Sequence, residues 1–143
     1  MGFGFPAAIG ACFAQPSNTV CCVAGDGSLM MNIAELDTCA RYDIPVKVLL
    51  LNNVSLGNVR QWQQIFYDSR YSNTIYNKAP DFVKLAESMG VMGVSVSEPD
   101  KLKESIEKAL EHDGPALIDV RIPQGANVMP MVNPGNSLSD MNF

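Results

Sequence analysis

The chain has 143 residues, the length of one ordinary domain. Hydrophobic residues make up 47%, which argues against a disordered chain, and a net charge of −5 without a basic cluster argues against nucleic acid or an anionic membrane as partner. No apolar stretch reaches the length of a membrane span, and no basic segment leads into a cleavage-like site. Cys12, Cys21, Cys22 and Cys39 form no C-x-x-C pair, and His112 is the only histidine. Buried free thiols in a reducing compartment are therefore expected rather than a zinc site. His112 itself, at a helix end among charges, reads as a surface residue.

The chain opens on Met1-Gly2-Phe3-Gly4-Phe5-Pro6 and passes at once into a small, apolar helix at 6–14, as if it began in the middle of a longer protein. Its small residues would let that helix lie close to a neighbour. Residues 19–24 are β-rich and free of charge, as expected of a central strand buried on both faces. A helix is expected over 28–42, capped by Ser28, with Ile33, Leu36 and Ala40 in one stripe and Pro45 as its stop. A second buried strand follows at 46–51, its Lys47 near enough to the start to reach solvent. A polar turn at 52–57 leads to a helix at 59–67, where Trp62 and Phe66 stand four residues apart and would ordinarily be a core pair.

The polar segment 68–79 is the best candidate for a mobile loop. A helix at 81–89 ends at Gly90, and a third strand runs over 91–96. Ser97-Glu98-Pro99-Asp100 resembles a capping box before a helix at 101–111. Gly114-Pro115 turns the chain into a fourth strand at 116–122, and an irregular tail fills 123–143. Strands alternating with helices of this length mean a single α/β domain, a doubly wound parallel sheet.

Two loop tips organise this layout. Gly25-Asp26-Gly27-Ser28 follows the first strand, and Asn52-Asn53 follows the second, with twenty-four residues between Gly27 and Asn52. That interval holds one helix and one strand, so both tips belong at the carboxyl edge of the sheet, where α/β folds bind ligands. Asp-Gly or Asn-Asn alone is most often only a turn. Together, a carboxylate, amide oxygens and a helix start suit a divalent cation carrying a phosphorylated ligand. Neither a Walker loop nor a G-x-G-x-x-G fingerprint is present.

The two tips resemble the signature of thiamin diphosphate enzymes. The flanks narrow the resemblance: residues 1–11, Leu51-Asn52-Asn53, Gly57-Asn58-Val59-Arg60-Gln61-Trp62-Gln63, the run 80–86, and Pro130-Met131-Val132 with Pro134-Gly135 are similar to the catalytic subunit of acetolactate synthase. The resemblance implies the diphosphate-binding fold of the carboxyl-terminal domain, lacking its first helix and strand. It implies Mg²⁺ held by Asp26, the Asn53 side chain and the Ser55 backbone oxygen. It implies that Gly25, Gly27, Ser28 and Gly57 meet the diphosphate, with Met1 as the apolar prop of the bent cofactor. Asn58, Val59 and Trp62 then line the substrate channel, Asn58 departing from the methionine usual in the family, which leaves substrate preference open.

For a whole enzyme, the resemblance implies pyruvate and a second 2-ketoacid as substrates, joined by decarboxylation and carboligation in branched-chain amino acid biosynthesis. It also implies FAD in another domain, a homodimer or tetramer, a regulatory small subunit, and a location in the cytoplasm, plastid or mitochondrial matrix. The glutamate that protonates the cofactor belongs to a domain outside these residues, so the 143 residues alone are expected to be inactive. The alternatives are another thiamin diphosphate decarboxylase or carboligase, or a non-catalytic binding module of the same fold.

Overall fold

The apolar runs become strands. In the computed structural model, which describes residues 1–142, β1 (Cys21–Gly25), β2 (Lys47–Asn52), β3 (Met92–Val96) and β4 (Ala116–Arg121) form one parallel sheet in the order β1-β2-β4-β3. Helices cover both faces, as a doubly wound fold requires. Alternation along β2 assigns its side chains to two cores. Val48 and Leu50 pack with Phe5 and Ala8 of α1 (Gly4–Ala14), Leu36 and Cys39 of α3 (Glu35–Arg41), and Phe82 and Ala86 of α5 (Phe82–Ser88). Leu49 and Leu51 pack instead toward Leu102, Ile106 and Ala109 of α6 (Leu102–Glu111).

The first strand differs from expectation. β1 is an edge strand, and only Cys22 and Ala24 are buried, whereas Val23 on the opposite face is 61% exposed. Cys12, Cys22 and Cys39 are buried free thiols as expected, and Cys21 is free and exposed. Burial, with Cys12 and Glu35 nearby, pushes the Cys39 thiol up to about 12, so it is an inert packing group.

The helix expected over 28–42 is three pieces: α2 (Asp26–Leu29), a 3₁₀ turn (Met30–Asn32), and α3. Its path stays right-handed through Leu29, Ile33 and Ala34. The turn is tightened where Asn32 Nδ2 reaches across to the Gly2 carbonyl at 2.6 Å. Ser28 sits inside α2, and Gly25 takes the N-cap position, so Ser28 is not the cap. Glu98 precedes the 3₁₀ turn Pro99–Lys101 without a side-chain cap, so no capping box forms there either. Asp81 does cap α5, accepting from Lys84 N at 3.1 Å. That helix ends in paired bonds from Gly90 N to Glu87 O and Val91 N to Ala86 O, with Gly90 at φ +80°.

Lys47 does not reach solvent. It is buried, and its Nζ donates to the carbonyls of His112 at 2.5 Å and Gly114 at 2.6 Å, pinning the turn that feeds β4. The 68–79 segment is also better anchored than its polarity suggests: Leu56 N donates to Thr74 O and Tyr76 N to Val54 O, and Thr74 is buried. The tail is not wholly irregular. Its β5 (Met131–Val132) pairs antiparallel with β6 (Met141–Asn142), while Phe143 lies outside the described residues.

Candidate functional site

Parallel pairing sets the two tips side by side. Gly25 at the end of β1 is opposite Leu51, so Asp26 and the Asn52-Asn53 pair emerge from adjacent strands at the same edge. The turn after β2 is held in a costly shape. Val54 has φ +55°, the left-handed region that a β-branched residue disfavours. Its N–H donates to Asn52 Oδ1 at 3.2 Å, and its carbonyl accepts from Tyr76 N at 3.1 Å. Asn52 is itself buried and donates through Nδ2 to Asp119 Oδ1 at 2.9 Å. Asp119, on β4, is buried too, with Arg121 3.6 Å away. The buried acid thus orients Asn52, and Asn52 pins the strained turn that presents Asn53 and Ser55.

Asp26 faces that turn. Only 4% of it is exposed, and its Oδ2 has no hydrogen-bond partner. Burial pushes its carboxyl above the ordinary value of 3.8, opposed by backbone N–H groups of Gly27, Ser55 and Val54 that favour the anion. Asn53 Oδ1 accepts from Ser55 N at 3.2 Å and retains a second lone pair. The oxygen set is one carboxylate plus neutral amide, carbonyl and hydroxyl groups, the chemistry of Mg²⁺ or Ca²⁺ rather than of zinc. Accordingly, among the described residues no three His, Cys, Asp or Glu side chains converge.

Beside Asp26 the backbone packs so closely on the chain's own side chains that only glycine fits at Gly27 and Gly57. A Cβ on Gly27 would stand 2.7 Å from Leu56 Cδ2 and 3.3 Å from the Tyr76 hydroxyl, with Met1 Cε at 3.8 Å. One on Gly57 would meet Asn53 Nδ2 at 2.8 Å. Ser28 Oγ accepts from Gly2 N at 2.9 Å, which leaves its own proton free to donate to an anion.

One open cavity of about 610 Å³ gathers ten of the residues singled out from the sequence: Met1, Gly25, Asp26, Gly27, Ser28, Asn53, Ser55, Gly57, Asn58 and Val59. Trp62 lies in an adjoining cavity of about 270 Å³ that shares Asn58 with the first. It is not a core residue. Trp62 is 47% exposed and meets Phe66 edge-on with ring centroids 5.8 Å apart, both on the outer side of α4 (Gly57–Phe66).

Three further residues belong to the setting. Gln61 clamps the tail through Nε2 to Val128 O at 2.9 Å and Val128 N to Oε1 at 2.7 Å, which makes Val128 a wall shared by both cavities. Tyr76 stands over Gly27 close enough to feel the Asp26 charge, and burial first, then that charge, raises its pKa. Asp119 was signalled in the sequence by a lone acid inside the apolar run 116–122, whereas nothing local marks Tyr76.

Comparison with known proteins identifies the family and the fold. Residues 1–120 match the model of the thiamine pyrophosphate enzyme C-terminal TPP binding domain. The chain is 48% identical over 141 residues to the large subunit of acetolactate synthase isozyme 2 of Escherichia coli K12, covering 99% of this chain and 26% of that protein. It is 49% identical over 142 residues to the acetolactate synthase large subunit of Parasynechococcus marenigrum WH8102, covering 99% and 23%. The chain thus spans about a quarter of the length of these relatives. Among solved structures it resembles the thiamine diphosphate-dependent 4-hydroxybenzoylformate decarboxylase of Rhodococcus jostii RHA1, with a TM-score of 0.79 and 37% identity over 86% of this chain and 23% of that one. Sequence, fold and cavity converge on one assignment: the chain belongs to the thiamine pyrophosphate enzymes, as a C-terminal TPP binding domain.

Proposed function

We propose that this chain holds the Mg²⁺–diphosphate end of thiamin diphosphate and works as the C-terminal part of an acetolactate synthase catalytic subunit. The observation that carries the cation assignment is the buried, unpartnered Oδ2 of Asp26, which faces the Asn53 turn across a cavity walled by glycine. A native fold rarely leaves such an oxygen without a partner unless a ligand or ion completes it. Asp26, Asn53 Oδ1 and the Ser55 carbonyl would hold Mg²⁺. The backbone at Gly25, Gly27 and Gly57 can approach the diphosphate closely, and Ser28 can donate its hydroxyl proton. Met1 would pack on the cofactor's apolar middle.

When bound, thiamin diphosphate supplies the stabilised carbanion on which 2-ketoacid decarboxylation and carboligation depend. The chain's own residues bind and orient. Asn58, Val59 and Trp62 would receive the 2-ketoacid, pyruvate first, where the two cavities meet. FAD, the catalytic glutamate, dimer or tetramer contacts and a regulatory small subunit are assigned by this reading to the longer protein, and the 143 residues alone should make no acetolactate.

The second reading, a decarboxylase or carboligase with another substrate, is favoured by Asn58 and by the likeness to the 4-hydroxybenzoylformate decarboxylase. The 48–49% identity to two acetolactate synthase large subunits supports the first more strongly. The test is calorimetric titration with thiamin diphosphate in Mg²⁺, for the chain and for Asp26→Ala. Binding in the parent and none in the variant supports the assignment; retained binding in the variant removes Asp26 from the site.

A further inference from the structure

Residues 1–3 belong to no helix or strand, yet Met1 lines the larger cavity and reaches the tip after β1, its Cε 3.8 Å from the point a Gly27 Cβ would occupy. Met1 is 62% exposed, so the chain's own packing does little to fix it. Its place is set through its neighbour. Gly2 N donates to Ser28 Oγ at 2.9 Å, and the Gly2 carbonyl accepts from Asn32 Nδ2 at 2.6 Å. Ser28 and Asn32 stand four residues apart on one right-handed path, which brings both side chains to the same side. Together they grip both polar backbone atoms of one residue, twenty-six and thirty positions earlier in the chain.

The fit at Gly2 is close. Its φ is +78°, and a Cβ there would stand 2.8 Å from Asn32 Nδ2 and 3.2 Å from Met31 Cβ. Glycine adopts that backbone without strain and lets the amide reach the carbonyl. Of the two grips, Ser28 already has a part in the proposed site, since its own proton is left for the diphosphate. Asn32 lines neither cavity, so any effect it has on a ligand must pass through Gly2 and Met1.

We propose that Asn32 is a positioning residue for Met1: its bond to the Gly2 carbonyl holds the methionine in place against the apolar middle of the cofactor. This rests on the thiamin diphosphate reading above and adds to it a residue outside the cavity. Ser28 and Asn32 then set the spacing between the two ends of the ligand, the first serving the anion and both holding the backbone that carries the apolar prop. A methionine placed before the ligand arrives spares part of the ordering cost of binding.

The test compares thiamin diphosphate with inorganic pyrophosphate, each titrated calorimetrically in saturating Mg²⁺, for the parent chain, Asn32→Ala and Asn32→Leu. Pyrophosphate reports the anion end alone, and the ratio of the two affinities reports the thiamin portion that Met1 would meet. Both variants should keep pyrophosphate affinity within about twofold of the parent and lose about fivefold for thiamin diphosphate, the order expected when one long side chain must be ordered on binding. Parental thiamin diphosphate affinity in Asn32→Ala would overturn the inference. So would a parental affinity ratio in Asn32→Leu, because leucine fills space but has no N–H to donate. A parallel loss of both ligands, through unfolding or otherwise, makes Asn32 a structural residue only and also overturns it. A parent that does not bind thiamin diphosphate in Mg²⁺ defeats the cofactor reading itself, and this inference with it.

Discussion

Replacing Asp26 by asparagine should stabilise the protein without metal and abolish its response to cation and diphosphate. Asp26 is almost fully buried, its Oδ2 is unpartnered, and burial outweighs the surrounding N–H donors in setting its pKa above 3.8. The metal-free fold therefore holds the proton more tightly than the unfolded chain does, and asparagine removes the charge that burial penalises. A buried unsatisfied group costs about 1–3 kcal/mol. Asparagine keeps the acceptor but introduces an unpaired NH₂, so the net gain at neutral pH should be near the low end, about 1 kcal/mol, or roughly 3 °C in Tm for a chain of this size.

The pH dependence has a definite sign. A raised native pKa means that the folded state holds the proton more tightly than the unfolded state. The parent's deficit relative to Asp26→Asn is thus full above the raised native value, and it vanishes as pH falls from there toward 3.8. Metal affinity runs the other way and climbs as the carboxyl ionises. In the parent, Mg²⁺ and thiamin diphosphate at about a hundred times Kd should add about 2.7 kcal/mol, and in the variant nothing. Differential scanning calorimetry across pH, with and without the ligands, reads all three effects. A metal-free variant less stable than the parent at neutral pH, or equal ligand stabilisation of both, would refute the reasoning.

Gly57→Ala should weaken binding more than folding: its Cβ would sit 2.8 Å from Asn53 Nδ2 and displace that amide, so Mg²⁺ affinity should fall about tenfold in the titration. Trp62→Ala should cost less than about 1.5 kcal/mol in urea unfolding, against the 3–5 kcal/mol of a core aromatic, because the indole is half exposed. Gln61→Leu breaks both bonds to Val128 and should cost about 1–3 kcal/mol, with faster proteolysis in 123–132 as the direct readout.

Strand positions were legible because β2 and β4 are buried on both faces and their sequences are nearly uninterrupted apolar runs. The same rule misjudged β1, whose residues are equally apolar although one face is open. The break in the 28–42 helix was hidden, because the bond Asn32 makes there is to the Gly2 carbonyl, thirty residues earlier in the chain. Lys47 misled for a similar reason: a lysine in a strand reads as solvent-seeking until two distant carbonyls are seen to receive it. The meeting of Asp26, Asn53, Gly25 and Gly27 at one cavity was legible because these loop tips follow adjacent parallel strands at the same sheet edge. The strain at Val54 and the support from Asn52 and Asp119 were not, because they depend on the register between β2 and β4.

The most direct measurement is isothermal titration of the chain with thiamin diphosphate, once with Mg²⁺ and once with the cation chelated. Binding that requires Mg²⁺ and is lost in Asp26→Ala is the expected result. No binding at millimolar ligand, or the same affinity with and without the cation, would contradict a Mg²⁺–diphosphate site built from Asp26 and the Asn53 turn.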